Sequence, residues 1–292
     1  MKPLQKIGLG AVTFGREIDQ QQSFRIMDAA AERGILFFDT AEAYGQGASE
    51  TIIGNWLQAH PSMMEQVTIA SKLLPPYDVV SLKQRIAASL RRLQRPYIDL
   101  LFFHSWHASV LDVDLLTLLG GLMQQGLVKN IGASNFNADR LSRLLEVQER
   151  HRLPKITAIQ NNHNLAVSDL DASLLAVTRK YQLQVITYSP LGAGFLTGKH
   201  MEAVEQGSRF DRMPAHQDIY FTSDALGSLQ RLRIAAAGQK ELQVQWALAW
   251  ALHHPDVDQV LIGARSEAHL QQAIDAASFN DLAFLQQLKP FY

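Results

Sequence analysis

Eight short apolar runs, each followed by a longer helical pattern, recur along the chain, and that alternation limits the fold more than any other feature. The runs are KIGLGA (6–11), ILFFD (35–39), VTIASK (67–72), IDLLFFH (98–104), VKNIGAS (128–134), ITAIQ (156–160), QVITYS (184–189) and QVLIGA (259–264). Strands that read as nearly continuous apolar runs are covered on both faces, as in parallel sheets with helices outside. Between them lie segments of helical period. In 79–94, Leu82, Ile86, Leu90 and Leu93 fall on one stripe. Asp169 is placed to cap the helix after the sixth run, and Gly34 and Gly126 to end helices before the second and fifth. Eight unbroken β/α units predict a single-domain α/β fold over 1–292, a closed (β/α)8 TIM barrel. An open doubly wound sheet is the competing arrangement. The one long irregular stretch is 199–224, and a loop of that length is usually functional or mobile.

Composition narrows the chemistry. With 47% apolar residues, the 292-residue chain has ample material for a large core. The net charge of −1 leaves no basic footprint for nucleic acid. No cysteine is present, which excludes disulfides, cysteine-held iron–sulfur clusters and thiol catalysis, and makes the cytoplasm the expected compartment. The longest apolar stretch, 115–123, is far shorter than the roughly 20 residues of a membrane span, and the first residues lack the apolar core of a signal peptide. No membrane association is expected, and a monomer or weak oligomer is the default.

Three strands run into chemically useful residues. Asp39 ends the second, Lys72 the third and His104 the fourth, and Tyr44 lies five residues beyond Asp39. In a parallel barrel all carboxyl ends of strands face one mouth, so the four residues converge there. Singly, each has an ordinary role: an N-cap aspartate, an exposed lysine, a hydrogen-bonded histidine. Together they form a proton-transfer set. A phenol has a pKa near 10, and an adjacent ammonium lowers it. A carboxylate keeps the lysine charged and oriented. The phenol then serves as a general acid and the imidazole holds the oxygen being protonated. Such a set suits a reaction that creates an alkoxide, such as hydride addition to a carbonyl. Two cofactor motifs fail. GLGAVTFG (8–15) has Thr13 where the third glycine of a dinucleotide motif belongs. GAGFLTGKH (192–200) has one residue too many for a P-loop, and His200 where Ser or Thr belongs. A glycine-rich loop after a barrel strand still suits a pyrophosphate. A metal hydrolase is disfavoured, because His104 and His107 in HSWH are three apart and point to opposite faces of a strand.

The motifs together resemble the aldo-keto reductase superfamily over nearly the whole chain. GILFFDTAEAYGQGASETIIG carries the family's spaced Asp and Tyr, IASK its lysine, YIDLLFFH its histidine. GLVKNIGASNF, AIQNNHNL, YSPLGAGFLTGK and LIGARSEAHL follow in family order. The resemblance implies reduction of an aldehyde or ketone by NADPH, without metal, with Asp39, Tyr44, Lys72 and His104 as the catalytic four and Tyr44 as proton donor. It implies that Ser134, Asn135 and Gln160 hold the nicotinamide carboxamide and that Tyr188 stacks on the ring. Ser189, Pro190, Leu191, Gly192, Gly194 and Leu196 would line the pyrophosphate, and Gly263, Arg265, Ser266 and His269 the adenosine 2′-phosphate. NADPH is expected over NADH because an arginine fork suits phosphate, although His269 and Ala273 depart from the family's usual Arg or Gln and Asn. Val12, Phe14 and Trp106 are expected in the substrate pocket. Many relatives begin with a hairpin, so the barrel floor here is expected to be open or capped by the C-terminal segment. The segment around 200–222 is expected to fold over bound cofactor. The competing reading is a barrel that binds NADP(H) as a redox signal with little turnover. Neither the carbonyl substrate nor the physiological direction is legible.

Overall fold

The computed structural model describes residues 2–291. Eight parallel strands close into a barrel in sequence order, with β1 (Ile7–Gly10) pairing β8 (Gln259–Gly263) to seal the ring. The others are β2 (Phe37–Asp39), β3 (Thr68–Leu73), β4 (Ile98–Phe103), β5 (Val128–Ser134), β6 (Ala158–Asn162) and β7 (Gln184–Tyr188). Every apolar run of the sequence supplies one strand. The open doubly wound alternative is thereby excluded.

The barrel interior is filled by Ala70, Leu100, Phe102, Ala158, Ile186 and Leu261, with Phe37 and Tyr188 packed on them. It is a packed plug rather than a pore. Phe102 fits only because its neighbour on β5 is Gly132, where an added Cβ would lie 2.4 Å from the ring.

Helices α1 (Gln20–Glu32), α2 (Ala48–Ala59), α3 (Val79–Leu93), α4 (Val113–Gln124), α5 (Ala138–Arg150) and α6 (Ala172–Tyr181) follow the first six strands. Asp19, Asp78, Asp112, Asn137 and Asp171 each accept a backbone N–H at a helix start, which satisfies donors the helix itself cannot. The cap of α6 is therefore Asp171, two residues after the expected Asp169. Starting there puts Leu174, Leu175 and Thr178 on the buried face. Asp169 instead donates its N–H to the carbonyl of Asn162. The α3 stripe is as expected, with Leu82, Ile86 and Leu93 buried and Leu90 half-buried.

The stretch 199–224 is more ordered than its composition suggests. It holds two one-turn helices, α7 (Arg209–Arg212) and α8 (Gln217–Tyr220), before α9 (Ser223–Ala235). Phe210 and Tyr220 anchor it, packing on each other at 5.7 Å, and Phe221 meets both Phe210 and Phe195. These anchors follow no helical period and Pro214 interrupts them, so periodicity could not reveal them. α10 (Lys240–His253), α11 (Glu267–Ala277) and α12 (Leu282–Leu288) complete the outer layer.

The barrel floor is open, with a cavity of about 500 Å³ lined largely by Gln5, Thr68, Asp99, Asn130, Gln184 and Gln259. The C-terminal segment packs elsewhere, against α10, where Trp250 Nε1 donates to Lys289 O and Phe291 meets Trp250 and His254. Two histidines are buried here. His163 lies 4.8 Å from both Trp250 and His254 between ring centroids, and each histidine leaves Nε2 without a partner. His163 Nδ1 pairs with the Ser168 hydroxyl.

Burial holds His254 down to about 4 and His163 well below its ordinary value. Between pH 6.5 and 4 the unfolded chain binds a proton at His254 that the folded chain refuses, so stability falls as pH falls through that window. At pH 5 this loss is about 2 kcal/mol for His254 alone. The urea midpoint should drop between pH 7 and pH 5, and His254→Gln should make that drop smaller. An equal midpoint at the two pH values would contradict the buried, neutral state.

Candidate active site

The carboxyl ends of the strands open into a cavity of about 770 Å³. Asp39, Tyr44 and His104 line it, and Lys72 lies just beneath. Lys72 Nζ donates to Asp39 Oδ2 at 2.5 Å and to the Thr40 carbonyl at 2.9 Å. Gln160 Nε2 donates to the other carboxylate oxygen at 2.7 Å. Both oxygens of Asp39 are thus engaged, as a buried carboxylate requires. Tyr44 begins a short 3-10 turn after β2, with Lys72 Nζ 5.1 Å from its ring centroid. His104 follows β4 and meets Tyr44 edge-on at 5.9 Å. Its backbone is pinned by Leu73 O, which accepts its N–H, and by Asn135 Nδ2, which donates to its carbonyl.

Protonation follows from burial. Burial and the Lys72 charge hold His104 down to about 3, so the ring is neutral across physiological pH. Its Nδ1 is buried without a partner, which leaves Nε2 as the nitrogen that meets the cavity. Burial pulls the Lys72 ammonium down, but Asp39 and Tyr44 outweigh it and keep the lysine charged. Tyr44 corrects the expectation from sequence. Burial raises its hydroxyl above the usual value and the opposing pull of Lys72 does not cancel it. The phenol therefore stays protonated, and Lys72 limits the rise rather than producing a net lowering.

The remaining expected residues divide into those on the cavity and those behind it. Val12, Ser134, Asn135, Gln160, Tyr188, Ser189, Pro190, Leu191, Gly194, Gly263, Arg265 and His269 line it. The Tyr188 hydroxyl donates to Asn135 Oδ1 at 2.7 Å, and the Arg265 N–H donates to His269 Nδ1 at 3.3 Å. Gly192 and Leu196 are buried behind the loop. A Cβ at Gly192 would press on Tyr220 at 2.8 Å. Gly192 and Gly194 also spend their N–H groups inside the loop, on Ser189 O and Leu191 O. Those two amides cannot cradle a phosphate without opening the turn. Ser266 stands at the start of α11 without capping it through its side chain, outside the cavity lining.

Two residues expected in the substrate pocket lie off the cavity lining. Phe14 is 0% exposed, turned into the core under the β1 loop. Trp106 packs edge-on against Phe136 at 5.3 Å with Arg140 over its ring, away from the cavity lining.

Sequence reasoning missed the cations of this cavity. Arg16, Lys199, Arg209 and Lys240 line it alongside Arg265. Arg209 is half-buried, its guanidinium held below its usual value by burial and by Arg16, and among the described residues no carboxylate pairs with it. It sits in a stretch without periodicity, so only its charge could have drawn notice. Glu17 is an acid on the same wall and is shared between Arg16 at 2.5 Å and Arg265 at 3.9 Å. A long cleft with excess positive charge, running from a phenol to an arginine at a helix start, fits a phosphate-bearing cofactor. Among the described residues, no group of three or more His, Asp or Glu is placed to hold a metal ion, and no helix is long and apolar enough to cross a membrane.

Fold and site together define a barrel oxidoreductase. The chain belongs to the aldo/keto reductase family, whose model matches residues 6–283. It is similar to "Protein tas" of Escherichia coli, 30% identical over 92% of this chain and 88% of that protein. It is similar to the "Uncharacterized oxidoreductase YrpG" of Bacillus subtilis, 28% identical over 99% of this chain and 92% of that one. A "Probable voltage-gated potassium channel subunit beta" of Arabidopsis thaliana is 26% identical over 91% of this chain and 84% of its own length.

Proposed function

We propose that the protein reduces an aldehyde or ketone with NADPH, reversibly, and that Asp39, Tyr44, Lys72 and His104 carry the proton chemistry. The observation that supports this most is the buried Asp39–Lys72 pair set beneath a protonated Tyr44, with neutral His104 at its edge. The cofactor, when bound, supplies the hydride. Tyr44 donates its hydroxyl proton to the oxygen that becomes an alcohol, and His104 Nε2–H orients that oxygen. Lys72 stabilises the phenolate left behind, and Asp39 keeps Lys72 charged.

Tyr188, Ser134, Asn135 and Gln160 are suited to the nicotinamide end. Gln160 commits its amide nitrogen to Asp39, so its carbonyl oxygen is the group left for a carboxamide N–H. Lys199, Arg209 and Arg16 are suited to the pyrophosphate, and Arg265 with His269 to the 2′-phosphate. The surplus of cations over Glu17 favours the more highly charged NADPH over NADH.

The test is NADPH oxidation against a panel of small aldehydes and ketones. Turnover on at least one carbonyl is expected. The likeness to channel β subunits favours a second reading, a barrel that binds NADP(H) as a redox signal. Tight NADPH binding with no turnover across the panel would support that reading instead.

A further inference from the structure

The turn that carries Tyr44 is held from outside the cavity. We propose, on the reading of Tyr44 as the general acid, that Arg85 and Arg92 of α3 clamp this turn at both ends and act as positioning residues for the proton donor.

The backbone of this turn needs holding. Three residues of positive φ follow Tyr44: Gly45 at 56°, Gln46 at 56° and Gly47 at 91°. Gln46 carries a Cβ and keeps such a conformation only where its surroundings impose it. Two acids flank the turn, Glu42 just before Tyr44 and Glu50 in the first turn of α2. Arg85 and Arg92 stand two helical turns apart on α3, so both project from one face. Each takes one of the acids.

Arg85 meets Glu42 as a fork, with Nη2 donating to Oε1 and Nε to Oε2 at 3.2 Å. The same guanidinium donates to the carbonyls of Leu74 at 2.5 Å and Pro76 at 3.1 Å. Glu42 Oε1 accepts the Leu74 N–H at 2.9 Å, and the Glu42 N–H donates to Lys72 O at 3.1 Å. The approach to Tyr44 is thus tied to the end of β3, the strand of Lys72.

The far end is tied to the same strand. Arg92 Nε donates to Glu50 Oε2 at 2.7 Å, and its Nη2 lies 2.6 Å from that oxygen. Ser71 Oγ, beside Lys72 in sequence, donates to Glu50 Oε1 at 2.5 Å, and Glu50 is fully buried. Arg92 also lies against the turn itself, since a Cβ at Gly47 would be 2.7 Å from its Cδ. The two clamps lock the turn onto residues 71–74 and so fix the phenol ring over Lys72 Nζ, 5.1 Å from the ring centroid. Both arginines and Glu50 lie outside the cavity lining, so they reach the reaction through Tyr44 and not through the substrate. A displacement of about 1 Å in such a group can lower a rate about 10²-fold.

The test uses Arg85→Gln and the paired variant Glu50→Gln with Arg92→Gln, which strands no buried charge. Each is made in the unaltered protein and in Tyr44→Phe. The readouts are kcat and KM with a carbonyl the unaltered protein reduces, and NADPH affinity by quenching of tryptophan fluorescence. In the unaltered background each variant should lower kcat by about 10- to 100-fold. KM and NADPH affinity should stay within about twofold, because the interaction lost is one made in the transition state. In Tyr44→Phe no hydroxyl remains to be placed, so the same substitutions should change kcat by less than about twofold. A loss that recurs in full in Tyr44→Phe would overturn the proposal and leave the two pairs as structural ties. An undiminished kcat in the unaltered background would overturn it as well. In both cases the unaltered protein still turns over, so the reductase reading stands. No turnover by the unaltered protein on any carbonyl would overturn that reading and the positioning role with it.

Discussion

Tyr44→Phe is expected to lower kcat by about 10²- to 10⁴-fold with any carbonyl the protein reduces, the range typical of losing a positioned general acid. NADPH affinity should change little, because the hydroxyl is directed at the substrate oxygen rather than the cofactor. Structural side effects should be small. The ring keeps its edge contact with His104 and its place over Lys72, and both depend on the ring rather than the oxygen. The pH profile sharpens the test. Burial raises the Tyr44 hydroxyl, so the unaltered enzyme should keep its reductive activity through neutral pH and lose it only when the phenol ionises in the alkaline range. His104, held down to about 3, should contribute no limb near neutrality. A Tyr44→Phe enzyme with undiminished kcat would remove Tyr44 as the acid. A limb near pH 6.5 would show that His104 is not neutral in the working enzyme.

How much of this was legible depended on which residues carried a repeating signal. The barrel was readable because each strand repeats the same requirement, an apolar run buried on both faces, and eight repetitions leave little freedom. Asp39, Lys72 and His104 were readable because each stands at a strand end, where parallel topology fixes the side of the barrel. Phe14 was misplaced because it lies on a loop. An aromatic on a loop can turn inward or outward with equal sequence pattern, and Phe14 turned in to a fully buried site. Arg209 was invisible for a related reason, since it belongs to a segment held by Phe210 and Tyr220 at spacings without period. The Tyr44 ionisation was misread because charge proximity is visible in a motif and burial depth is not. Lys72 does oppose the shift, but full burial outweighs it.

The buried ion pair should give the largest stability effect of any single substitution discussed. Lys72 is 1% exposed and Asp39 2%. Lys72→Met preserves volume but leaves the carboxylate with Gln160 as its side-chain partner. Removing one member of such a pair is expected to cost about 3–5 kcal/mol, because an uncompensated charge stays in a dry site. The pH dependence gives a second, independent signature. Burial already raises Asp39, and Lys72 opposes that rise. Without Lys72 the folded-state carboxyl binds its proton at still higher pH than the unfolded one, so folded molecules take up a proton that unfolded ones do not. The variant's deficit relative to the unaltered protein should therefore shrink as pH is lowered from 8 toward 5. The double variant Asp39→Asn with Lys72→Met should recover most of the loss, since an asparagine can still accept from Gln160 and carries no charge to strand. Urea denaturation of the unaltered protein and the two variants at pH 8 and pH 5 reads all of this. A Lys72→Met protein within about 1 kcal/mol of the unaltered one at pH 8 would show that Asp39 is not charged in the folded state. In that case Lys72 could not owe its charge to Asp39, and the pairing proposed to support the Tyr44 proton transfer would fail with it.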